Sequence, residues 1–451
     1  MREKEGDARW IGEGITSLED INARIMAAIF APAHTWRWWV ALAFSGSLTL
    51  LMIVTVTWLF AHGIGIFGNN TTIVWGFPIA NYVWWLGIGH AGTLISALLL
   101  LTRQKWRGSL NRFAETMTLF AASMAGLFPI FHLGRPYYLY WIVPYPNVQD
   151  VWPQWRSALV WDFWAVGTYI TFSALFWYAG LIPDLAMLRE RANSRFVRRL
   201  YGAFALGWRG SARHWQVHDR LYRYMAALAV PLVVSVHSIV SLDFAASLEP
   251  GWSDTIYPPY FVVGALYSGF AMVVVLAAAL RWGCSFQPFI TVRHFEVIAR
   301  VLLTASIIMG VSYASEWFWG WYGGERSERH LVIFLFAGPY APLYYCQLLF
   351  NVVVPQALWF TRVRRSIAAV VVISIIINIG MWLERILIVW ATLSHDYLPS
   401  SWRIFLPTFW DWALLFGSLG AFMFLFLLFV RILPALPAHE LRKLWIEENS
   451  A

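Results

Sequence analysis

Ten apolar runs of about 20 residues, each long enough to cross a hydrocarbon core of about 30 Å, dominate this chain. Lipid offers no water to bond exposed backbone groups, so such runs cross as helices or as a closed barrel. Runs of this length read as helices, and the fold class is an all-α integral membrane protein. The spans are read as Trp38–Ala61, Phe77–Leu101, Phe113–Phe131, Leu159–Leu181, Arg223–Leu242, Tyr260–Trp282, Phe295–Trp319, Tyr340–Phe360, Ile367–Ala391 and Phe409–Ile432. The lead before Trp38 is charged and mixed in sign, without a short apolar core and cleavage site, so no removable signal peptide is expected. Within it, Leu18 to Phe30 reads either as a short amphipathic helix on the membrane surface or as a partly ordered tail.

Charge distribution orients these spans. Of 33 Lys and Arg residues, 25 fall in alternate segments that include both termini, and only Arg135, Arg156, Arg326, Arg329 and Arg403 fall in the others. The positive-inside rule makes the rich side cytoplasmic, with both termini there. One missed helix would swap every later loop, so the split supports the count. Net charge is +8, but its placement is that of topology and lipid headgroups, and no nucleic-acid partner is expected. Only 13% of residues are charged, about half the soluble norm of roughly 25%. Many of the 29 tryptophans stand near run ends, where amphipathic rings settle. The two cysteines, Cys284 and Cys346, form neither a disulfide framework nor a metal-ligand pattern. The longest inner loop, Pro183 to Tyr222, has room for a short surface helix.

Ionisable groups inside spans are costly and mark candidate sites. In this topology His132 ends the third span, Asp162 lies near the outer start of the fourth, and His237 and Asp243 end the fifth. Glu316 and the Glu384–Arg385 pair lie near the outer ends of the seventh and ninth, and Asn81 opens the second from the same side. The inner halves of these helices read as almost free of charge. Such one-sided clustering suits a redox-coupled proton site, with acceptors for hydroxyl protons and an outer exit. Plainer readings stand beside this one. Asp243 reads equally as a solvated interfacial carboxylate, and Glu384–Arg385 as structural groups, each needing a partner on another helix, with Glu316 a candidate for Arg385. His90, in the run Gly87-Ile88-Gly89-His90-Ala91-Gly92, is either a packing histidine or a proton relay. Bis-histidine haem would need matched histidines on facing helices, which the sequence allows only for His132 and His237.

The stretches Phe77–Trp85, Gly87–Ser96, Phe128–Arg135, Leu159–Asp162, Trp177–Asp184, Ser235–Phe244 and Pro258–Phe261 carry a family resemblance, in matching order. Together they resemble the NrfD-like family of polysulfide-reductase membrane subunits, and most of all its quinol-oxidising member in alternative complex III. The resemblance implies two four-helix bundles, residues 77–246 and 258–391. Flanking helices would occupy 38–62 and 409–433, with cytoplasmic segments at 1–37 and 434–451. It places a quinol pocket in the first bundle near the outer surface, with the family's histidine on His132 and its aspartates on Asp162 and Asp243. His237 and Asn81 are taken as further quinol-binding residues, and His90, Glu316, Glu384 and Arg385 as a proton path or structural pairs.

By the same likeness the protein binds no metal or covalent cofactor, and a quinol, taken to be menaquinol, is its substrate. Its partners would be the bilayer, a peripheral iron–sulfur subunit on the outer face, c-type haem subunits and a second NrfD-like membrane subunit. The setting would be a bacterial inner membrane. Three rivals remain: a quinone-reducing anchor on the same scaffold, a purely structural anchor for a peripheral redox subunit, and a secondary transporter. A transporter would carry its charged site near the midplane between broken helices, whereas the charges here gather toward one surface.

Overall fold

The computed structural model describes residues 9–12, 14–30, 35–142, 155–156 and 158–450, without the side chains of Trp141, Ile142 and Leu159. Arg2 and Lys4 of the N-terminal segment lie outside the described residues. No strand occurs among those described.

In chain order the helices are α1 (Leu18–Phe30), α2 (Thr35–His62), α3 (Gly76–Leu101), α4 (Asn111–Leu133), α5 (Ala158–Arg191), α6 (Arg195–Phe204) and α7 (Ala212–Ala245). They continue with α8 (Tyr257–Gly283), α9 (Val292–Tyr322), α10 (Arg326–Ala337), α11 (Ala341–Leu348), α12 (Ile367–Ser394), α13 (Phe409–Ile432) and α14 (Ala438–Asn449). Nine of them, among the described residues, are long and apolar enough to cross a bilayer. The tenth expected span departs from the sequence reading. It belongs to a bent unit in which α10 meets the segment Ala341–Trp359 at 81°. Past α11 that segment loosens into a π turn, Leu349–Val353, and a 3-10 turn, Val354–Trp359. Pro355 has no N–H to give the carbonyl of Asn351, and the Tyr267 hydroxyl donates to that carbonyl instead, at 2.9 Å. Pro183 has the same effect in α5, where the carbonyl of Ala179 is taken by His218 Nε2 at 3.0 Å. The α10 helix falls between Trp319 and Tyr340, where the sequence reading places only a loop.

α3 is the hub, buried along nearly its whole length and packed on α4, α7, α8 and α12. Its glycines allow this. A Cβ at Gly92 would stand 2.0 Å from the Ala114 carbonyl oxygen, and one at Gly89 3.0 Å from the Ala122 nitrogen. Two small residues one turn apart thus bring the α3 and α4 backbones together, as in membrane helix pairs generally. α2 is mostly exposed on its outer face and docks on α13, where Gly417 and Gly420 admit Met52 and Leu48.

The basic-rich ends share one surface. Trp10 stacks near Trp106 and His294 and lies under the Arg293 guanidinium at 3.9 Å, and its backbone N–H donates to Glu448 at 2.7 Å. α1 is helical, and the long loop carries α6, a helix that anchors through the Tyr201 hydroxyl on the Ile432 carbonyl at 2.8 Å. At the opposite, basic-poor end, Asp411 accepts from Gly68 N at 2.9 Å while capping its own helix with Thr408.

Candidate functional site

At the basic-poor end of α3, Tyr82 turns its hydroxyl onto Asp162 of α5 and donates a short hydrogen bond to Oδ2. Both side chains are buried, and the Asp243 carboxylate of α7 stands close enough to act electrostatically on both. Three helices therefore bring two carboxyls and a phenol into electrostatic reach of one another. Asp162 Oδ1 and Asp243 Oδ1 are buried with no hydrogen-bond partner among the described residues. Buried polar atoms are nearly always paired, and among the described residues no donor pairs these two. His132, in the last turn of α4 before Gly134 reverses the chain at φ +65, also has a buried unbonded atom, Nδ1. No hydrogen bond or ion pair joins His132 to the two carboxyls among the described residues, and residues 143–154, which lead toward Asp162, lie outside them.

Tyr82 is the residue the sequence reading missed. It stood inside a quoted stretch, one position from the chosen Asn81, and the difference is helical geometry. Neighbours on a helix point about 100° apart, so only one of the two faces α5. Asn81 faces the other way and accepts from Trp382 Nε1 of α12 at 2.9 Å. It does not belong with Asp162.

His237 is also displaced from the expected group. Its Nδ1 lies 3.2 Å from Nδ1 of His90, and Tyr169 stacks on His90 with ring centroids 4.2 Å apart. His90 Nδ1 also lies 2.7 Å from the Leu86 carbonyl. A carbonyl only accepts, so His90 Nδ1 carries the proton, shared between the Leu86 carbonyl at the shorter distance and His237 Nδ1 at the longer. His237 thus pairs with His90, not with His132 as the sequence allowed. The pair is about 12 Å from Tyr82 along α3, at 1.5 Å per residue.

Glu384 and Arg385 have the partners on other elements that the structural reading asks for, and they also reach each other. Their ends meet at 3.2 Å, without hydrogen-bond geometry. Each also has partners on other helices: Tyr313 and Asn351 donate to Glu384, and the Arg385 guanidinium lies over the Phe261 ring at 4.1 Å. No ion pair between Glu316 and Arg385 within 4 Å is present among the described residues; long flexible side chains reached what the helical wheel separates.

The basic-rich halves of the helices are not free of charge. Arg112 of α4 pairs with Asp184 of α5 at 2.7 Å, both almost fully buried. One turn on, Glu115 Oε1 accepts from Ser96 at 2.5 Å and from Tyr222 at 2.6 Å. Glu115 and Arg112 look like ordinary helix-end charges in sequence, and only the arrival of α5 and α7 buries them. Among the described residues, no group of three His, Cys, Asp or Glu could hold a metal ion.

Comparison with known proteins covers most of this architecture. The profile of the family described as "Polysulphide reductase, NrfD" matches residues 65–394, from just before α3 to the end of α12. A protein of Halobacterium salinarum, named as a putative membrane component of a dimethyl sulfoxide reductase, is 27% identical over 240 residues, covering 51% of this chain and 50% of that one. The chain thus spans about half the length of the curated relative it matches. With Tyr82, Asp162, Asp243, the histidine pair and the hub helix all inside the matched region, the chain belongs to the NrfD family of multi-pass oxidoreductase membrane subunits.

Proposed function

We propose that this subunit oxidises a quinol, menaquinol in the first instance, beside Tyr82, Asp162 and Asp243, near the outer face of a bacterial inner membrane. The observation that carries the reading is the pair of carboxyls, each with a buried oxygen that has no hydrogen-bond partner among the described residues. A quinol headgroup is a two-ended hydroxyl donor, which is the chemistry these oxygens lack. Tyr82 occupies Asp162 Oδ2 and leaves Oδ1 toward the substrate. His132, one helix away, is the second acceptor.

Oxidation of one quinol yields a quinone, two electrons and two protons. The protons pass to the carboxyls and His132 and then to the outer phase, so turnover adds to the proton gradient. The electrons leave to an iron–sulfur subunit on the outer face, and from there to c-type haem subunits, in an assembly of the alternative complex III kind with a second NrfD-like subunit. Positive charge at the opposite end supports cytoplasmic termini. The reductase name of the halobacterial relative supports the same direction. A reductase consumes electrons, so a membrane subunit serving one must draw them from quinol.

The test is quinol:acceptor turnover per assembled complex for Asp162→Asn and His132→Gln. Loss of one acid or base typically lowers rate by about 10²–10⁴-fold. Near-normal turnover in both variants, with assembly intact, would remove the site from this position.

A further inference from the structure

A cavity of about 570 Å³ lies at the basic-poor end between α8, α9, α10 and α12, and none of Tyr82, His132, Asp162 or Asp243 lines it. Its volume falls within the roughly 300–1,000 Å³ of small-ligand sites. Asp254, Glu316, Glu325, Glu328 and Glu384 contribute carboxyls to its wall, and no Lys or Arg does. The wall also carries the rings of Tyr257, Tyr260, Trp317, Trp319 and Tyr344. Glu384, 1% exposed, is at the inner part of this wall, and its Oε1 lies 3.2 Å from the Arg385 guanidinium. Arg385, which also lies over the Phe261 ring, balances Glu384, so the carboxyls left to meet a ligand are Asp254, Glu316, Glu325 and Glu328.

From this lining we infer that the cavity binds the ammonium group of an organic amine. Carboxyls supply charge, and aromatic faces attract an ammonium through their quadrupoles, by about 0.5–2 kcal/mol according to desolvation. A compact metal ion is the poorer occupant, because among the described residues no three ligands gather as one would need. The site is independent of the quinol reading and shares no residue with it. Two sources offer this chemistry: a lipid with an ethanolamine headgroup, or a soluble amine. Phe318, Trp319 and Trp321 of α9 stand exposed beside the cavity, as interfacial rings do at headgroup depth.

The experiment uses the chain purified with its partner subunits, in nanodiscs of phosphatidylethanolamine or of phosphatidylglycerol alone, with retained lipid read by native mass spectrometry. Putrescine, titrated calorimetrically, is the soluble probe. Selective retention of phosphatidylethanolamine, reduced about tenfold by Glu316→Gln, supports the site with a lipid source. Putrescine binding that Glu316→Gln weakens by the same factor supports it with a soluble one. Trp319→Leu, at an exposed position, gives a second variant with the same expectation should Glu316→Gln fold poorly. Equal retention of both lipids with no putrescine heat overturns the inference. So does carbodiimide cross-linking of Glu316 or Glu325 to a lysine of a co-purifying protein, since a protein side chain would then fill the cavity.

Discussion

Replacing Tyr82 by Phe removes one hydroxyl and leaves the ring in place. Its effect follows from what that hydroxyl does, which is to donate to Asp162 Oδ2 inside a buried site. Asp162 Oδ1 already has no partner among the described residues, so in Tyr82→Phe both oxygens of the carboxyl are unpaired. Leaving a buried polar group unsatisfied costs about 1–3 kcal/mol, and more if it is charged. At about 1.36 kcal/mol per decade, a cost near 2–3 kcal/mol against the proton-accepting carboxylate slows oxidation by roughly 30- to 150-fold. The assay is quinol:acceptor turnover per assembled complex, with subunit yield measured alongside. Trp382→Phe is the matched control, since it removes a donor from Asn81, which faces away from the site, and should change turnover less than about twofold. A Tyr82→Phe enzyme within twofold of wild type, or a Trp382→Phe enzyme slowed as much, would refute the role given to the hydroxyl.

Three further outcomes are expected. His90→Phe leaves His237 Nδ1 without its donor and should lower the thermal midpoint in line with a loss of about 1–3 kcal/mol, with turnover preserved; steep loss of turnover at an unchanged midpoint would place the histidines in the reaction. Asp184→Asn strands the buried Arg112 and should cost about 3–5 kcal/mol, read as reduced yield and lower melting without a change in KM for quinol. Burial pushes the Cys284 thiol up to about 11. Since the thiolate is the reactive form, maleimide labelling should be negligible near pH 7 and rise only as pH climbs toward that value, and an impermeant reagent outside right-side-out vesicles should not label it at all.

Much of this protein was legible in its sequence because the bilayer leaves so few options. A run of apolar residues in lipid has to be helical, and loop arginines set the alternation of the helices, so spans and their order followed from local composition. The break between α10 and α11 escaped that logic. Its Gly338-Pro339 step separates two short apolar pieces, and hydropathy alone does not register an 81° bend. Depth along a helix was also readable: Asp162 and Asp243 were placed at one end by counting residues, and the structure brings them together.

Azimuth was decided only by tertiary packing. Whether Asn81 or Tyr82 looks toward α5 depends on how α3 is rotated, and the glycines that seat it on α4 set that rotation. The same holds for His237, which lies on a helix ending in the expected site but turns toward His90. Burial of Arg112, Glu115 and Asp184 likewise waited on the meeting of α4, α5 and α7, since a charge near a helix end is cheap in water and costly once neighbours exclude it. The sequence by itself determined which groups share a depth in the membrane, because 1.5 Å per residue is a property of every α-helix. Which of those groups touch was decided by the folded chain, because facing is a relation between helices and no single segment contains it.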